Sequence, residues 1–442
     1  MEAGLNPIRA LAFLAVAIPA AAQSVGPAIL TRGEAPAALA TPELSFRPFV
    51  EFGGVYDTGL TGVVLNSNGQ LGSSASLGMT ISGGVSGVHS WKHTKIALDY
   101  RGSAAHYAKT TYYDSTEQSL MVGITHQFTR RITLALRESA GMFSRNYGLP
   151  GLSQTVPFDS SASYIPTSDF YDNRTIYVSS QADLTLQKST RLSFNFGGDF
   201  FLNRRRSTAL YGATGGGARG DVQYRLSSRS TIGGGYTYSH YAFHDIFSGS
   251  DLHSFIATYG IRLTKTLEFS SYGGVTRSET KFEQSVPIDP VIAALIGESV
   301  GSVIVHSVDY VPDVSARLSQ TFSRGVLFIS GGHMVTPGNG LFLTSEATGA
   351  NAGYTYTGRR RWSFAAQAEY SHAKSVGNIL GYYGDVGGTL SASRQLMGTL
   401  HAVLSFSARQ YQSPDFNLYN RLIYTVRLGI GFAPGSIPLR VW

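Results

Sequence analysis

The chain has 442 residues and no cysteine, and its 35 Lys and Arg residues outnumber its 28 Asp and Glu residues. The lack of cysteine excludes disulfide bonds, thiolate metal sites and cysteine nucleophiles. Charged residues are scarce, Gly and Tyr are plentiful, and no segment shows a sustained helical period, which favours a β protein over an α/β enzyme. The positive residues form no dense patch, so we expect no nucleic-acid partner.

The first 22 residues have the pattern of a secretory signal peptide. Arg9 supplies the positive region, residues 10–18 the apolar core, and Ala20 and Ala22 the small-residue cleavage pattern. Residues 23–45 carry three prolines among small residues and are expected to be a flexible periplasmic segment. Residues 46–442 are then a single transmembrane domain without a spanning helix, because no later apolar run approaches the required length of about 18 residues.

The rest of the chain alternates apolar and polar residues with a period of two, which is typical of a strand with one apolar face. In the last such segment Leu422, Val426 and Leu428 alternate with Thr425 and Arg427. We count about eighteen segments of this kind, although sixteen is an alternative. Each is long enough to cross a bilayer as a tilted strand.

The connections between these segments alternate between short and long. The short turns are placed at residues 92–94, 129–131, 188–190, 228–230, 265–266, 323–325, 359–361 and 395–397. Because outer-membrane barrels have tight periplasmic turns and longer outer loops, the short turns are expected on the periplasmic side with both termini. The sequence therefore predicts an all-β fold, a single closed antiparallel transmembrane β-barrel.

The polar face of the predicted strands carries charges of both signs. These residues are Glu51, Asp99, Arg101, Arg137, Asp183, Asp199, Arg219, Asp221, Arg225, Arg262, Glu268, Asp313, Arg317, Glu369, Arg409 and Arg427. So many charges in a dry core would each cost several kcal/mol, so we expect them to line a hydrated or densely networked lumen. Glu138 is the exception on the apolar face, and we interpret it as a bulge or register shift near Arg137.

Tyrosines gather near strand ends, most of them on the long-loop side, and predict an interfacial aromatic girdle. They are Tyr107, Tyr112, Tyr171, Tyr211, Tyr241, Tyr411 and Tyr419. An alternative is the ordinary preference of Tyr for strands.

Two outer connections are unusually long, residues 144–172 and 277–307. The first is the third outer loop and the candidate constriction loop, because a long loop in a large barrel often folds inward and narrows the lumen; the alternative is an extracellular cap. Its candidate residues are Tyr147, Phe158, Tyr164 and Asp169. The second contains an apolar stretch, residues 291–296, long enough for a short helix.

No catalytic or metal-binding pattern emerges, and we expect neither an enzyme nor a cofactor. The histidines lack a metal-ligand spacing such as H-E-x-x-H. His240 and His244 are four residues apart, which in a strand is too far to share one ion. A Ser and His hydrolase pair on the barrel wall is the least favoured hypothesis.

The signal peptide, the alternating turns and the terminal strand together resemble bacterial outer-membrane β-barrels of the porin size class. The chain is most similar to β-barrel porins of this length that are found with exopolysaccharide export systems. The terminal strand matches the assembly signal of such barrels in part, through Tyr424, Leu428, Ile430 and Phe432, but ten residues follow Phe432 where such barrels usually end. The resemblance implies that the last strand is recognised by the barrel assembly machinery and that the outer face contacts outer-membrane lipid. Trimeric porins are common in this size class, so a homo-oligomer and a monomer both remain open.

Two functions from different classes remain open. The first is a porin-like channel that passes small solutes or exported polysaccharide through a charged aqueous lumen, since barrels of 16 to 18 strands leave such a lumen. The second is a non-conducting structural or surface-binding barrel of the outer membrane, whose mixed charges interlock inside.

Overall fold

The computed structural model describes residues 45–65, 71–108, 114–143, 174–206, 211–244, 246–337, 343–357, 361–376, 381–412 and 422–434. Within these ranges the chain forms eighteen strands and one short helix. The strands are β1 (Ser45–Leu65), β2 (Leu71–Ser90), β3 (Thr94–Tyr107), β4 (Ser115–Thr129), β5 (Ile132–Phe143), β6 (Thr175–Gln187), β7 (Leu192–Arg205), β8 (Ala213–Arg225), β9 (Ser230–Phe243), β10 (Ser248–Arg262), β11 (Leu267–Pro287), β12 (Val300–Phe322), β13 (Gly325–Thr336), β14 (Ser345–Thr357), β15 (Trp362–Ser375), β16 (Tyr382–Met397), β17 (Leu400–Gln412) and β18 (Leu422–Phe432). The helix α1 (Pro290–Ile296) lies between β11 and β12.

Each strand pairs antiparallel with the next one along the chain, and β18 pairs back onto β1. At this seam Phe52 lies opposite Ile430 and Asp57 lies opposite Thr425. The sheet is therefore closed, and its central backbone N–H and C=O groups are paired from strand to strand. The predicted closed antiparallel barrel of about eighteen strands is confirmed.

The two faces of the sheet have different chemistry. Directly opposed residues of an antiparallel pair project to the same side, so the register carries the outer face from Phe52 to Ile81 and onward around the barrel to Ile430. Large apolar side chains on this face are open, with Phe52 at 60% and Met79 at 74% exposure. An apolar outer face on a closed barrel is a membrane-spanning surface, and single-chain barrels of this kind span the bacterial outer membrane.

The predicted short turns lie at one end of the barrel, which we call the short-turn end, and the opposite end is the long-loop end. The strict alternation of short and long connections is wrong at one place, because β9 ends at Phe243 and β10 begins at Ser248, so the connection between them at the long-loop end is as short as the turns. Seven of the eight predicted turns fall at or beside the observed strand ends. The turn predicted at residues 395–397 is wrong, because β16 continues to Met397 and the chain reverses at Gly398. Gly398 has a φ of 49°, in the left-handed region that glycine adopts without steric cost.

The segment 277–307 is mostly strand, so the prediction of a long loop there is wrong. β11 and β12 pair continuously from Leu267 with Gln320 to Pro287 with Val300. The predicted short helix is confirmed as α1, with Asp289 accepting a hydrogen bond from the backbone N–H of Val291. We predicted strands only as long as a bilayer crossing requires. The hairpin of β11 and β12 is longer, and its paired strands continue beyond the lipid. No helix among the described residues is long and apolar enough to cross a membrane.

The bulge that we predicted near Arg137 is also wrong. Glu138 keeps its place in an unbroken register, opposite Val122 on β4 and Ser180 on β6. It is exposed on the outer face and accepts a hydrogen bond from the Ser180 hydroxyl. This hydrogen bond satisfies part of the hydrogen-bonding capacity of the Glu138 carboxyl group. Acidic residues on a lipid-facing wall also lower the free energy of unfolding less than Lys or Arg.

The two faces should respond differently to the same substitution. Leu390 of β16 is on the outer face and 57% exposed, whereas its neighbour Ser391 faces inward. Leu390→Arg should lower the free energy of unfolding by about 2–4 kcal/mol, because the charge enters hydrocarbon. Ser391→Arg should change it by much less. Denaturant unfolding in liposomes measures both, and equal losses would contradict the assignment of the faces.

Candidate functional site

The register places all sixteen charged residues predicted for the polar face on the inner side of the barrel. This placement follows strand by strand, for example from Asp99 on β3 to Met121 on β4, and from Arg137 on β5 to Gln181 on β6. Most lie near the middle of their strands. Their role as the lining of a water-filled lumen remains a prediction.

One arrangement occurs twice on the inner wall: an acid, a glycine and an arginine stand side by side on three consecutive strands. Asp183 of β6 is opposite Gly197 of β7, which is opposite Arg219 of β8. Arg219 reaches across the glycine to form a salt bridge with Asp183, and its side chain is only 7% exposed. The ion pair therefore lies flat along the wall.

The second copy of this arrangement is Glu369 of β15, Gly387 of β16 and Arg409 of β17. Arg409 forms a salt bridge with Glu369, and its Nε lies 3.7 Å from Asp385 Oδ2. Asp385 is almost completely buried and also accepts a hydrogen bond from Ser371. Removal of the arginine would take this cation away from the buried Asp385 and from the partly exposed Glu369.

The glycines are what permits these pairs to lie flat. A Cβ built on Gly197 would stand 2.5 Å from both Arg219 Nε and Asp183 Oδ1. A Cβ on Gly387 would stand 3.2 Å from Arg409 Nε and from Glu369 Oε1. Sequence reasoning missed these positions, although a glycine in the inward register of a mid-strand segment is the signal that would have found them.

Other inner charges also have local polar partners. Arg101 donates two hydrogen bonds of 2.8 Å to Asp99, one from Nε and one from Nη2. Arg137 donates to the side-chain oxygen of Gln181 at 2.9 Å. Because positive and negative groups stand next to one another, the wall carries mixed charge at short range.

The inner faces of β10, β11 and β12 are rich in hydroxyl groups. The Ser254 and Thr276 hydroxyls are 2.6 Å apart, and Thr276 donates to Asp313 at 3.1 Å. Nearer the long-loop end, Ser250 donates to Thr280 at 3.1 Å. We call these four residues, Ser250, Ser254, Thr276 and Thr280, the hydroxyl sector.

A cluster of apolar side chains lies on the inner wall at the long-loop end. The upper inner cluster contains Phe201, Tyr241, Phe243 and Leu252, and the partly buried Leu343 packs against it. Tyr241 is 1% exposed, as is Tyr107, which donates to Asp57 inside the barrel. The assignment of these two tyrosines to an interfacial girdle is therefore wrong, because inward packing replaced lipid contact.

The segment between β13 and β14 contributes to this narrowing. Thr344 hydrogen-bonds to Ser250 on the inner face of β10, and both residues are 1% exposed. Since β11 and β12 stand between β10 and β13, residues 343–344 lie on the lumen side of the wall. Sequence reasoning missed this inward contact. The predicted constriction residues Tyr147, Phe158, Tyr164 and Asp169 fall outside the described residues.

A smaller apolar group lies at the short-turn end, where Phe49, Val403 and Ala433 pack together. The charged residues in the middle of the inner wall are thus flanked by apolar contacts at both ends. In the described part of the chain, no group of three or more His, Asp or Glu side chains could hold a metal ion.

Comparisons with known proteins find no matching family model and no curated relative. Among solved structures, OpdL of Pseudomonas aeruginosa is 11% identical with a TM-score of 0.37, and the match covers 90% of this chain and 99% of that one. OccK2 of the same organism is 12% identical with a TM-score of 0.39 over 89% and 98% of the two chains. The copper transporter OprC is 10% identical with a TM-score of 0.42 over 88% of this chain and 66% of that one. At these values the likenesses assign neither a family nor a solute to the chain.

The glycine beneath the first ion pair gives a direct test. Gly197→Ala should lower the free energy of unfolding by about 1–3 kcal/mol, because the added methyl group displaces Arg219 from Asp183. Gly198→Ala is the matched control, since its Cβ would face outward and meet only ordinary contacts. The control should be neutral or stabilising by up to about 1 kcal/mol. Denaturant unfolding measures both, and a neutral Gly197→Ala would contradict the role of the glycine.

Proposed function

We propose that this protein is a passive outer-membrane channel that passes small solutes or exported polysaccharide. The observation that carries the proposal is the two-faced closed sheet of eighteen strands, apolar outside and charged inside. Barrels of this strand number enclose enough space for water and solute. The ion pairs of the inner wall favour a hydrated lumen over a dry one. In a dry interior each charge loses its hydration, and the attraction within a pair offsets that cost only with difficulty.

The inner wall is suited to polar solutes that carry little net charge. The acid–glycine–arginine arrangements hold Arg219 and Arg409 against the wall and neutralise them locally. The hydroxyl sector adds neutral donors and acceptors, which match the hydroxyl groups of sugars. These features support polysaccharide or small polyhydroxylated solutes over strongly charged ions.

The upper inner cluster and residues 343–344 form the candidate constriction. They act from the long-loop end, where a solute would enter from outside or leave during export. Leu343 comes from a connection rather than from the wall, so its position depends on the hydrogen bond of the adjacent Thr344 with Ser250.

Assembly of the barrel would depend on β18. Leu428, Ile430 and Phe432 alternate on its outer face and are each more than half exposed. An amphipathic final strand of this kind fits recognition by the barrel assembly machinery before the seam with β1 closes.

Specific observations also favour a non-conducting barrel that binds a partner at the surface. The apolar contacts at both ends of the inner wall would narrow or close the lumen. Outside the barrel, α1 exposes apolar side chains, with Val291 at 71% and Leu295 at 81%. A measurement of conduction separates the two functions.

The purified protein should conduct ions in a planar bilayer, because the charged residues of the inner wall retain water in the lumen. Arg137→Glu should shift the ion preference toward cations, since it reverses one charge on the inner wall. Reversal potentials under a salt gradient measure this preference.

The matched control is Arg130→Glu, which makes the same charge change in an exposed turn at the short-turn end. It should alter the reversal potential much less. A bilayer that stays sealed at all voltages would reject the channel and leave the surface-binding barrel as the function.

A further inference from the structure

A row of polar side chains crosses the outer face on three neighbouring strands. His333 of β13 is opposite Thr348 of β14, which is opposite His372 of β15. The Nδ1 of His333 lies 2.8 Å from the Thr348 hydroxyl oxygen. We call His333, Thr348 and His372 the histidine row. It plays no part in the inner wall.

The outer face of β15 shows where this row stands relative to the membrane. Its outward residues, from the short-turn end, are Trp362, Phe364, Ala366, Ala368, Tyr370, His372 and Lys374. Aromatic residues flank a stretch of alanines, as expected for the two interfacial girdles around the apolar band. His372 and Lys374 follow the second girdle directly, so the histidine row stands at the level of the lipid headgroups.

The groups around the row include both cations and acids. His372 interacts electrostatically with both His333 and Lys374, which repel its protonated form. Other charged or titratable groups on the outer face beside the row are Glu346, opposite Lys374, and the phenols Tyr370 and Tyr382. Asp313 on the inner side of β12 also interacts electrostatically with His333. Glu346 is the one carboxylate among these groups that stands on the outer face.

The surface beside the row is open. Thr348 and Ala350 are exposed, and Gly331 and Gly384 border the two histidines without side chains. An anionic oxygen could therefore approach the imidazoles and the hydroxyl group together. Imidazolium and hydroxyl groups donate hydrogen bonds, and such bonds to an anion are about twice as strong as neutral ones.

We propose that the histidine row binds the phosphate group of a lipid headgroup in the outer leaflet, and that it binds more tightly in mild acid. Histidines ordinarily protonate near pH 6.5. Phosphate stabilises the protonated imidazoles and relieves their mutual repulsion, so affinity rises as the pH falls and the imidazoles gain protons. The membrane contact of the barrel would thus respond to the acidity of the surroundings.

Another outward histidine provides a control. His240 of β9 also faces outward near the long-loop end, but its Nδ1 lies 2.9 Å from Asp251. A carboxylate already neutralises this imidazole when it is protonated. His240→Gln should therefore leave binding of lipid phosphate unchanged.

The test uses the full refolded barrel in neutral micelles, titrated with short-chain phosphatidic acid at pH 5.5 and pH 8. Native mass spectrometry measures the bound lipid. We expect at least about tenfold tighter binding at pH 5.5, because the protonated imidazoles add charge-assisted hydrogen bonds to the phosphate. The double variant with His333→Gln and His372→Gln should lose this pH dependence, whereas His240→Gln should retain it.

NMR of the ¹⁵N-labelled imidazoles in the unmodified protein keeps the test independent of how the variants fold. Phosphatidic acid should move the titration midpoints of His333 and His372 to higher pH, while phosphatidylcholine should move them much less. Equal binding at both pH values, or unchanged midpoints, would overturn the proposal. A response to inorganic phosphate but not to the lipid would also overturn it, since the site would then serve a free anion.

Discussion

The structure depends on one constraint: in hydrocarbon, every backbone N–H and C=O must find a partner within the protein. A sheet meets this constraint only when its last strand returns to its first. Here β18 returns to β1 along the register from Val50 with Phe432 to Asp57 with Thr425. Closure forces each strand to have one lipid-facing and one inward-facing side. The alternating sequence follows from that requirement.

Closure also decides how charge is held inside. A side chain on a concave wall has little lateral room, so an ion pair between second-neighbour strands must cross the strand between them. Glycine at Gly197 and Gly387 makes this crossing possible. Arg219 and Arg409 are therefore neutralised against the wall instead of projecting toward the axis. The inner surface is therefore polar over its middle and apolar near its ends.

The sequence was sufficient to predict the strands, the two faces and the single closed sheet, because a period of two is local and repeats in every strand. It was insufficient where long-range contacts decide. Tyr241 has the pattern of a girdle residue but packs inside, and Leu343 reaches the inner wall from a connection. Glu138 violates the apolar pattern yet stays in register through Ser180, and Gly197 is required only because Arg219 crosses over it. None of these contacts can be predicted from the sequence of one strand alone.

The seam between β1 and β18 offers the most direct test of the closed barrel. The chain has no cysteine, so Phe52→Cys with Ile430→Cys introduces a single pair at directly opposed positions. Opposed residues of an antiparallel ladder lie within the Cα separation that a disulfide accepts. The pair should oxidise in the membrane and give an internally looped species with altered migration on a non-reducing gel, whereas Phe52→Cys with Leu422→Cys should not. Failure of the first pair, or equal cross-linking of the second, would contradict the closed sheet.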